Sequence, residues 1–226
     1  MHSMTNRVSA QVSLTASAGT LSGTYTTLKA AFDAINAGTH QGSIAITITG
    51  NTTESATAAL NSSAIAPASY SSVTITPTAN VTVSGNIAGA LVKLNGADNV
   101  TINGLLAGTR QLTFNNTNAS SAAVVMWLAC ASAADGATNN AIRNCNINGA
   151  TLTTTLAGIA SSGITLGSVA ETANANNTYE NNSITTAQYG IAVVGPSVME
   201  TGTIIRGNLI GSTTAANKIY FRGLFI

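Results

Sequence analysis

Charge is what this chain has least of. Only 7% of its 226 residues are Asp, Glu, Lys or Arg, against about 25% in an ordinary soluble domain. The net charge of +1 gives no basic or acidic field, which argues against nucleic acid and anionic membrane as partners. Aromatic residues reach only 4%, too few for an exposed stacking platform to be expected, so Trp127 in "VVMWLA" is assigned to the core. Long apolar runs are also missing. The best stretch, "SAAVVMWLACASAA", is mostly Ala and Ser and falls short of the roughly 18 residues a membrane helix needs, so no membrane insertion is expected. The start "MHSMTNRVSA" lacks the apolar core of a secretory leader.

Cysteine is almost absent. Cys130 and Cys145 are the only two, and sequence alone leaves open whether they pair or sit apart as small buried apolar residues. Their spacing matches no zinc pattern and His2 and His40 are remote, so neither a metal nor any other cofactor is expected.

What remains abundant is Thr, Ser, Asn and Gly, short uncharged residues suited to exposed strand faces and tight turns. Such a composition with almost no Lys suggests an extracellular or cell-surface location. One helix is predicted within "TYTTLKAAFDAINAG", where Leu28, Ala31, Phe32 and Ile35 recur at helical spacing. Thr26 or Thr27 can cap it and Gly38 can end it. After Gly42 the period becomes two. "IAITIT", "SVTIT", "NVTIN" and "QLTF" alternate between apolar and polar, separated by Asn, Gly and Ser.

These segments repeat. Thr47, Thr74 and Thr101 lie 27 residues apart, and equivalents begin at Ala141, Thr178 and Ile204 after intervals of 40, 37 and 26. Periods of this size point to a solenoid with loops inserted at fixed corners. "AIRNCNI", "TYENNSI" and "IIRGNLI" are three copies of one strand and corner. Ile46, Ile48, Val73, Ile75, Val100, Ile102, Ile142, Tyr179 and Ile205 are predicted to face inward. "GIAS", "YGIAVVG" and "RGLFI" read as a second strand of the same coils. Parallel strands joined by long connections cross over right-handedly. The fold expected is therefore all-β, a right-handed parallel β-helix of about seven coils with an N-terminal α-helix capping the stack. The expected organisation is an N-terminal segment over 1–23, the capping helix over 24–42 and the β-helix over 43–226. The apolar ending "NKIYFRGLFI" suggests a segment of a longer protein, or an end that stacks on another molecule.

The helix "TLKAAFDAINAG", the segment "NVTINGL" and the repeated Ile-x-Asn corners resemble the pectin-lyase-like superfamily of β-helices, above all the β-helix regions of secreted bacterial surface proteins. In that superfamily, lyases hold calcium on clustered carboxylates and hydrolases use paired acids. Here the carboxylates are Asp33, Glu54, Asp98, Asp135, Glu171, Glu180 and Glu200, with no two close in sequence. The resemblance therefore implies fold without catalytic residues, and the chain is not expected to be an enzyme.

Two surface ladders are candidates for binding. Arg143, Glu180 and Arg206 would stack outward on successive coils, either to engage an acidic sugar or as cross-strand pairs contributing roughly 0.2–1 kcal/mol each. Thr47, Thr49, Thr74, Thr76, Thr101 and Asn103 would form a Thr face of the kind that meets ice or a mineral surface. The function expected is a structural or adhesive solenoid segment whose partner is itself, in fibres, or a surface polysaccharide. The alternatives are a carbohydrate-binding or polysaccharide-degrading β-helix, with a groove in the loops between Leu112 and Ala141 and between Ile147 and Asn177, and a Thr-face surface binder.

Overall fold

The computed structural model describes residues 9–197 and 200–226. Strands β1 (Val12–Gly19) and β2 (Ser22–Tyr25) make an antiparallel hairpin, and α1 (Leu28–Asn36) follows. The rest of the chain winds through six rungs of three strands. The first is β3 (His40–Ile48), β4 (Thr52–Glu54) and β5 (Ala58–Asn61). The second is β6 (Tyr70–Pro77), β7 (Val81–Gly85) and β8 (Ala90–Asn95). In the third, β9 (Val100–Asn103) is parted by a small hairpin, β10 (Leu105–Leu106) and β11 (Thr109–Arg110), from β12 (Leu112–Asn116) and β13 (Val124–Ala129). The fourth holds β14 (Ala141–Arg143), β15 (Cys145–Asn148) and β16 (Ala157–Ser162). The fifth holds β17 (Thr178–Glu180), β18 (Ser183–Thr185) and β19 (Ala187–Val193), and the sixth β20 (Ile204–Arg206), β21 (Leu209–Ile210) and β22 (Ile219–Phe225).

Corresponding strands of successive rungs pair in parallel, so the solenoid has three walls, beginning with β3, β4 and β5. It is a parallel β-helix. Six rungs stand where about seven were expected, because loops lengthen the turns that begin at Thr101 and Ala141. The segments read as a second strand of each coil, around Ile159, Ile191 and Leu224, belong to a third wall (β16, β19 and β22). The stretches expected to be groove loops contain β12, β13 and β16.

One interior column climbs each wall. In the first it is Ile46, Ile75, Ile102, Ile142, Tyr179 and Ile205. In the second it is Thr52, Val83, Phe114, Ile147, Ile184 and Ile210. In the third it is Ala58, Val92, Met126, Ile159, Ile191 and Leu224. Each fully buried Ile, Val or Phe stabilises the stack by about 1.5–3 kcal/mol. The columns also correct the register. Thr47 lies beside Thr76, and Thr74 beside Ala45, two residues away from the expected Thr47–Thr74 match. A slip of two keeps every side chain on the same face, so alternation alone does not detect it.

The N-terminal end is closed on all three walls. Strand β1 pairs antiparallel with β3. The helix buries Leu28, Ala31, Phe32 and Ile35 against the core. Its capping residue is Thr27, whose Oγ1 accepts from the Ala30 N–H at 3.1 Å, and Gly38 ends it at φ +72°. The buried Glu54 carboxylate of β4 accepts from the Leu28 and Lys29 N–H groups at 3.1 and 2.9 Å, where the helix dipole favours a negative charge. The Asn36 amide donates to the Ala59 carbonyl and accepts from the Asn61 N–H, sealing the edge of β5 as another strand would.

Two corners explain the repeated heptads. Asn144, Asn181 and Gly207 have φ of 56°, 54° and 64° between the first and second walls. Asn139, Asn176 and Gly202 have φ of 58°, 57° and 69° between the third and first. Asn and Gly tolerate this left-handed conformation where other residues clash. The next residue in each case is a rung of a ladder: Cys145, Asn182 and Asn208 at one corner, Asn140, Asn177 and Thr203 at the other. Asn182 Oδ1 accepts from the Cys145 N–H at 3.0 Å and Asn208 Oδ1 from the Asn182 N–H at 2.9 Å. The side-chain amides of Asn182 and Asn208 donate to the carbonyls of Ile142 and Tyr179, both at 2.8 Å. Each asparagine thereby satisfies backbone groups of the rung before it, which would otherwise be buried unpaired.

Candidate functional site

The carboxylates are spread along the solenoid and engaged locally. Glu54 holds the helix N-terminus, Asp33 pairs with Lys29, and Asp98 accepts from the Thr138 N–H and Oγ1. Glu171 accepts from the Ile164 N–H and Glu180 pairs with Arg206. Among the described residues no group of three or more His, Cys, Asp or Glu is placed to hold a metal ion. His40 is buried in the N-terminal cap, bonded to the Thr20 carbonyl and the Tyr25 hydroxyl. No helix among the described residues is long and apolar enough to cross a membrane.

Arg143, Glu180 and Arg206 do stand in one outward column on β14, β17 and β20, with Asn103 below them. The pairing within the column is one-sided. Arg206 Nε meets Glu180 Oε1 at 2.8 Å, whereas Arg143 makes no ion pair among the described residues. Beside this column the β10–β11 hairpin folds over the corner, and Arg110 Nε donates to the Asn181 carbonyl at 2.6 Å. The Thr residues lie outward on the first wall, but the corrected register leaves Ala45 within their array. Thr49 follows the end of β3 and is exposed. Ser13 and Thr24 of the N-terminal hairpin continue the Thr47–Thr76 column, and Ser22 and Thr15 the neighbouring one. Sequence spacing missed that extension because the hairpin is antiparallel and lies ahead of the repeat.

Both cysteines are free and buried. Cys145 fills the asparagine position of its ladder, and its thiol donates to the Arg143 carbonyl at 3.2 Å. Burial pushes its pKa up to about 12. Cys130 is also shifted upward, first by burial. Neither thiol is expected to react with a disulfide reagent in the folded protein at neutral pH, and both should react in denaturant. Fast labelling of the native chain would overturn this assignment.

The outer face of the third wall differs most from the sequence-based expectation. Trp127 is on this outer face and half-buried, not in the central core. Its Nε1 donates to Ser162 Oγ at 2.9 Å and Lys93 Nζ lies 4.2 Å from its ring centroid. Nearer the C-terminal end, Tyr189 stands 5.5 Å from Phe225 and 5.8 Å from Phe221, and Phe221 stands 4.6 Å from Tyr220. Tyr189 and Phe225, with Leu156, Ala160 and Ala192, line a shallow groove there. A low aromatic count thus coexists with a concentrated aromatic patch. The only sequence signal for it is the cluster within "IYFRGLF".

The sixth rung forms the C-terminal end of the described stack. Beyond β20, β21 and β22 no strand pairs among the described residues. Leu224, the last member of its interior column, is 43% exposed, and Ile226 is 81% exposed. Val193, Glu200, Thr203, Ile205 and Leu224 line a cavity in this end. Glu200 Oε1 accepts from the Asn174 N–H at 3.2 Å, while Glu200 Oε2 and Thr203 Oγ1 are buried without partners among the described residues.

Burial raises the Glu200 pKa above its ordinary 4.5, with the Asn174 N–H opposing the shift. The protonated acid is the better-tolerated form, so its stabilising contribution is complete below pH 4.5 and is lost as pH rises through the raised value. Glu200→Gln should therefore leave stability unchanged in acid and increase it at pH 7, read as thermal midpoint against pH. Parallel curves for the two proteins would contradict this.

No protein-family model, curated protein sequence or solved structure matches the chain.

Proposed function

We propose that this chain is a non-catalytic, structural or adhesive β-solenoid of a secreted or cell-surface bacterial protein. The observation that carries the reading is a stack of three parallel walls whose carboxylates are spread singly along its length. Its first rung is sealed by a hairpin, a helix, Glu54 and Asn36. The resemblance to pectin-lyase-like β-helices enters as a matter of architecture, since carboxylates tied singly to local partners do not supply the acid–base pair of a glycosidase.

End-to-end growth of this chain alone is disfavoured, because its sealed end offers no matching face. Sedimentation velocity and electron microscopy at rising concentration should show small species without long filaments. Incubation with uronate polymers should yield no unsaturated product. Filaments would show that the sealed end does pair, and turnover would make the chain an enzyme.

A second reading, adhesion to polysaccharide, is favoured by the patch of Tyr189, Phe221 and Phe225. Aromatic faces of this kind stack on apolar surfaces while their edges stay wet. Tyr189→Ala with Phe225→Ala should reduce retention in a polysaccharide gel severalfold, whereas Thr76→Ala should not. The Thr face has less support, because its columns include Ala45 and run into Arg143, Glu180 and Arg206.

A further inference from the structure

The first wall is bordered by charge of opposite sign on its two edges. Four of the seven carboxylates lie in the connections that lead from the third wall into the first: Asp98, Asp135, Glu171 and Glu200. Arginines gather at the other edge. Arg143 and Arg206 end β14 and β20, and Arg110 stands on the hairpin that follows β9. Within single rungs the acid is at the entry and the base at the exit. Asp98 and Arg110 stand in this order around β9, Asp135 and Arg143 around β14, and Glu200 and Arg206 around β20. The fifth rung departs from the pattern, because Glu180 ends β17, but Arg206 already meets it at 2.8 Å. The connections between the second and third walls carry Lys218 alone, so no other wall lies between two clusters of opposite sign. Most of these charges lack a counter-charge within the chain. Asp98, Asp135, Glu171, Arg110 and Arg143 form no ion pair among the described residues, and Arg143 Nε is buried without a partner. Between the edges, the outward column Ala45, Thr74, Thr101, Ala141, Thr178 and Ile204 is uncharged throughout.

We infer that two copies of the chain pair side by side through their first walls, pointing the same way and related by a twofold axis along the stack. That operation sets the entry edge of each copy against the exit edge of the other at equal height. Asp135 of one copy then faces Arg143 of the other, and Asp98 faces Arg110, each contact being made twice. A twofold axis across the stack would make the copies antiparallel and set acid against acid and base against base. The area is sufficient. Eight strands about 4.8 Å apart and roughly five residues wide present on the order of 600 Å² per copy. The pair then buries roughly 1,200 Å² in total, the lower bound for a specific interface. Thr and Ala between the edges cost less to desolvate than charge does, and the opposed edges orient the encounter. A twofold pair is closed, so growth stops at two.

Sedimentation velocity of the full chain should show a dimer in about 50 mM salt that dissociates toward about 500 mM, as screening weakens the edges. Arg143→Glu should weaken the dimer by about tenfold or more, and Asp135→Arg likewise, because each change acts at two contacts. An equimolar mixture of these two variants should pair as tightly as the original chain, since the exchanged charges again oppose one another. Circular dichroism checks that each variant is folded. Orientation is read with a short bis-maleimide on Thr74→Cys and, separately, on Thr178→Cys. Parallel copies link each variant to itself, whereas antiparallel copies link neither to itself. A chain that stays monomeric in low salt, a dimer indifferent to both charge changes, or a mixture that fails to pair overturns the inference. So does a low-salt monomer held on a sulfated-polysaccharide gel through Arg143, which would assign the basic edge to an anionic polymer. None of these outcomes touches the structural or adhesive reading, because that is tested by filament formation and polymer turnover.

Discussion

Phe32→Ala is expected to lower the stability of the whole solenoid by about 3–5 kcal/mol, the range for emptying a fully buried aromatic site. Phe32 lies on the inner face of α1, with no solvent exposure, between the helix and the first rung. In a stacked array each rung is stabilised mainly by its neighbours, so a loosened terminal unit costs more than its own contacts. The truncated side chain leaves a cavity under the helix and invites water to the edges of β4 and β5. Loss should appear as a lower denaturant midpoint and as faster hydrogen exchange, greatest in the first two rungs. The cap alone can be weakened with Thr27→Ala, which removes one bond to the Ala30 N–H and should cost about 1 kcal/mol. A Phe32→Ala protein within about 1 kcal/mol of the original would show that the helix is an ornament on the stack and does not seal it.

The second large effect belongs to the asparagine ladder. Asn182→Leu keeps the volume and the apolar surroundings but strands the Cys145 N–H and the Ile142 carbonyl, both now served by Asn182. Two buried backbone groups left unpaired, each costing about 1–3 kcal/mol, predict a loss near 3 kcal/mol or more. Asn146→Ala is the control. That side chain points outward from β15 and reaches Thr113 only at 3.4 Å, so its removal should change stability by less than about 0.5 kcal/mol. A greater loss at position 146 than at 182 would mean that the ladder does not hold the corner.

Much of this was legible in one dimension. Period-two alternation located the first-wall strands and their inward faces, and the intervals of 40, 37 and 26 residues agree with the observed pairing of Thr101 with Ala141, Ala141 with Thr178 and Thr178 with Ile204. The helix carries its own start and stop, so Thr27 and Gly38 were readable as well. Three things were not. The pairing of Thr47 with Thr76 depends on an even register shift that the alternation does not register. The first hairpin alternates over "VSLTA", but it lies ahead of the repeat and pairs antiparallel with β3, so no repeat interval marks it. The aromatic patch joins Tyr189 to Phe225, which neighbouring rungs bring to within 5.5 Å.

The sequence by itself determined the solenoid. Alternating β-branched residues, Asn and Gly corners, and the near absence of charge leave the backbone few ways to bury its apolar half. Only the tertiary structure decided which surfaces are spent and which remain available. Glu54 is consumed by a helix terminus and Cys145 by a ladder, whereas Tyr189 and Phe225 meet on an outer face. The reason is that local pattern fixes the face on which a side chain lies, while stacking fixes its neighbour, and in a solenoid each neighbour comes from another turn of the chain.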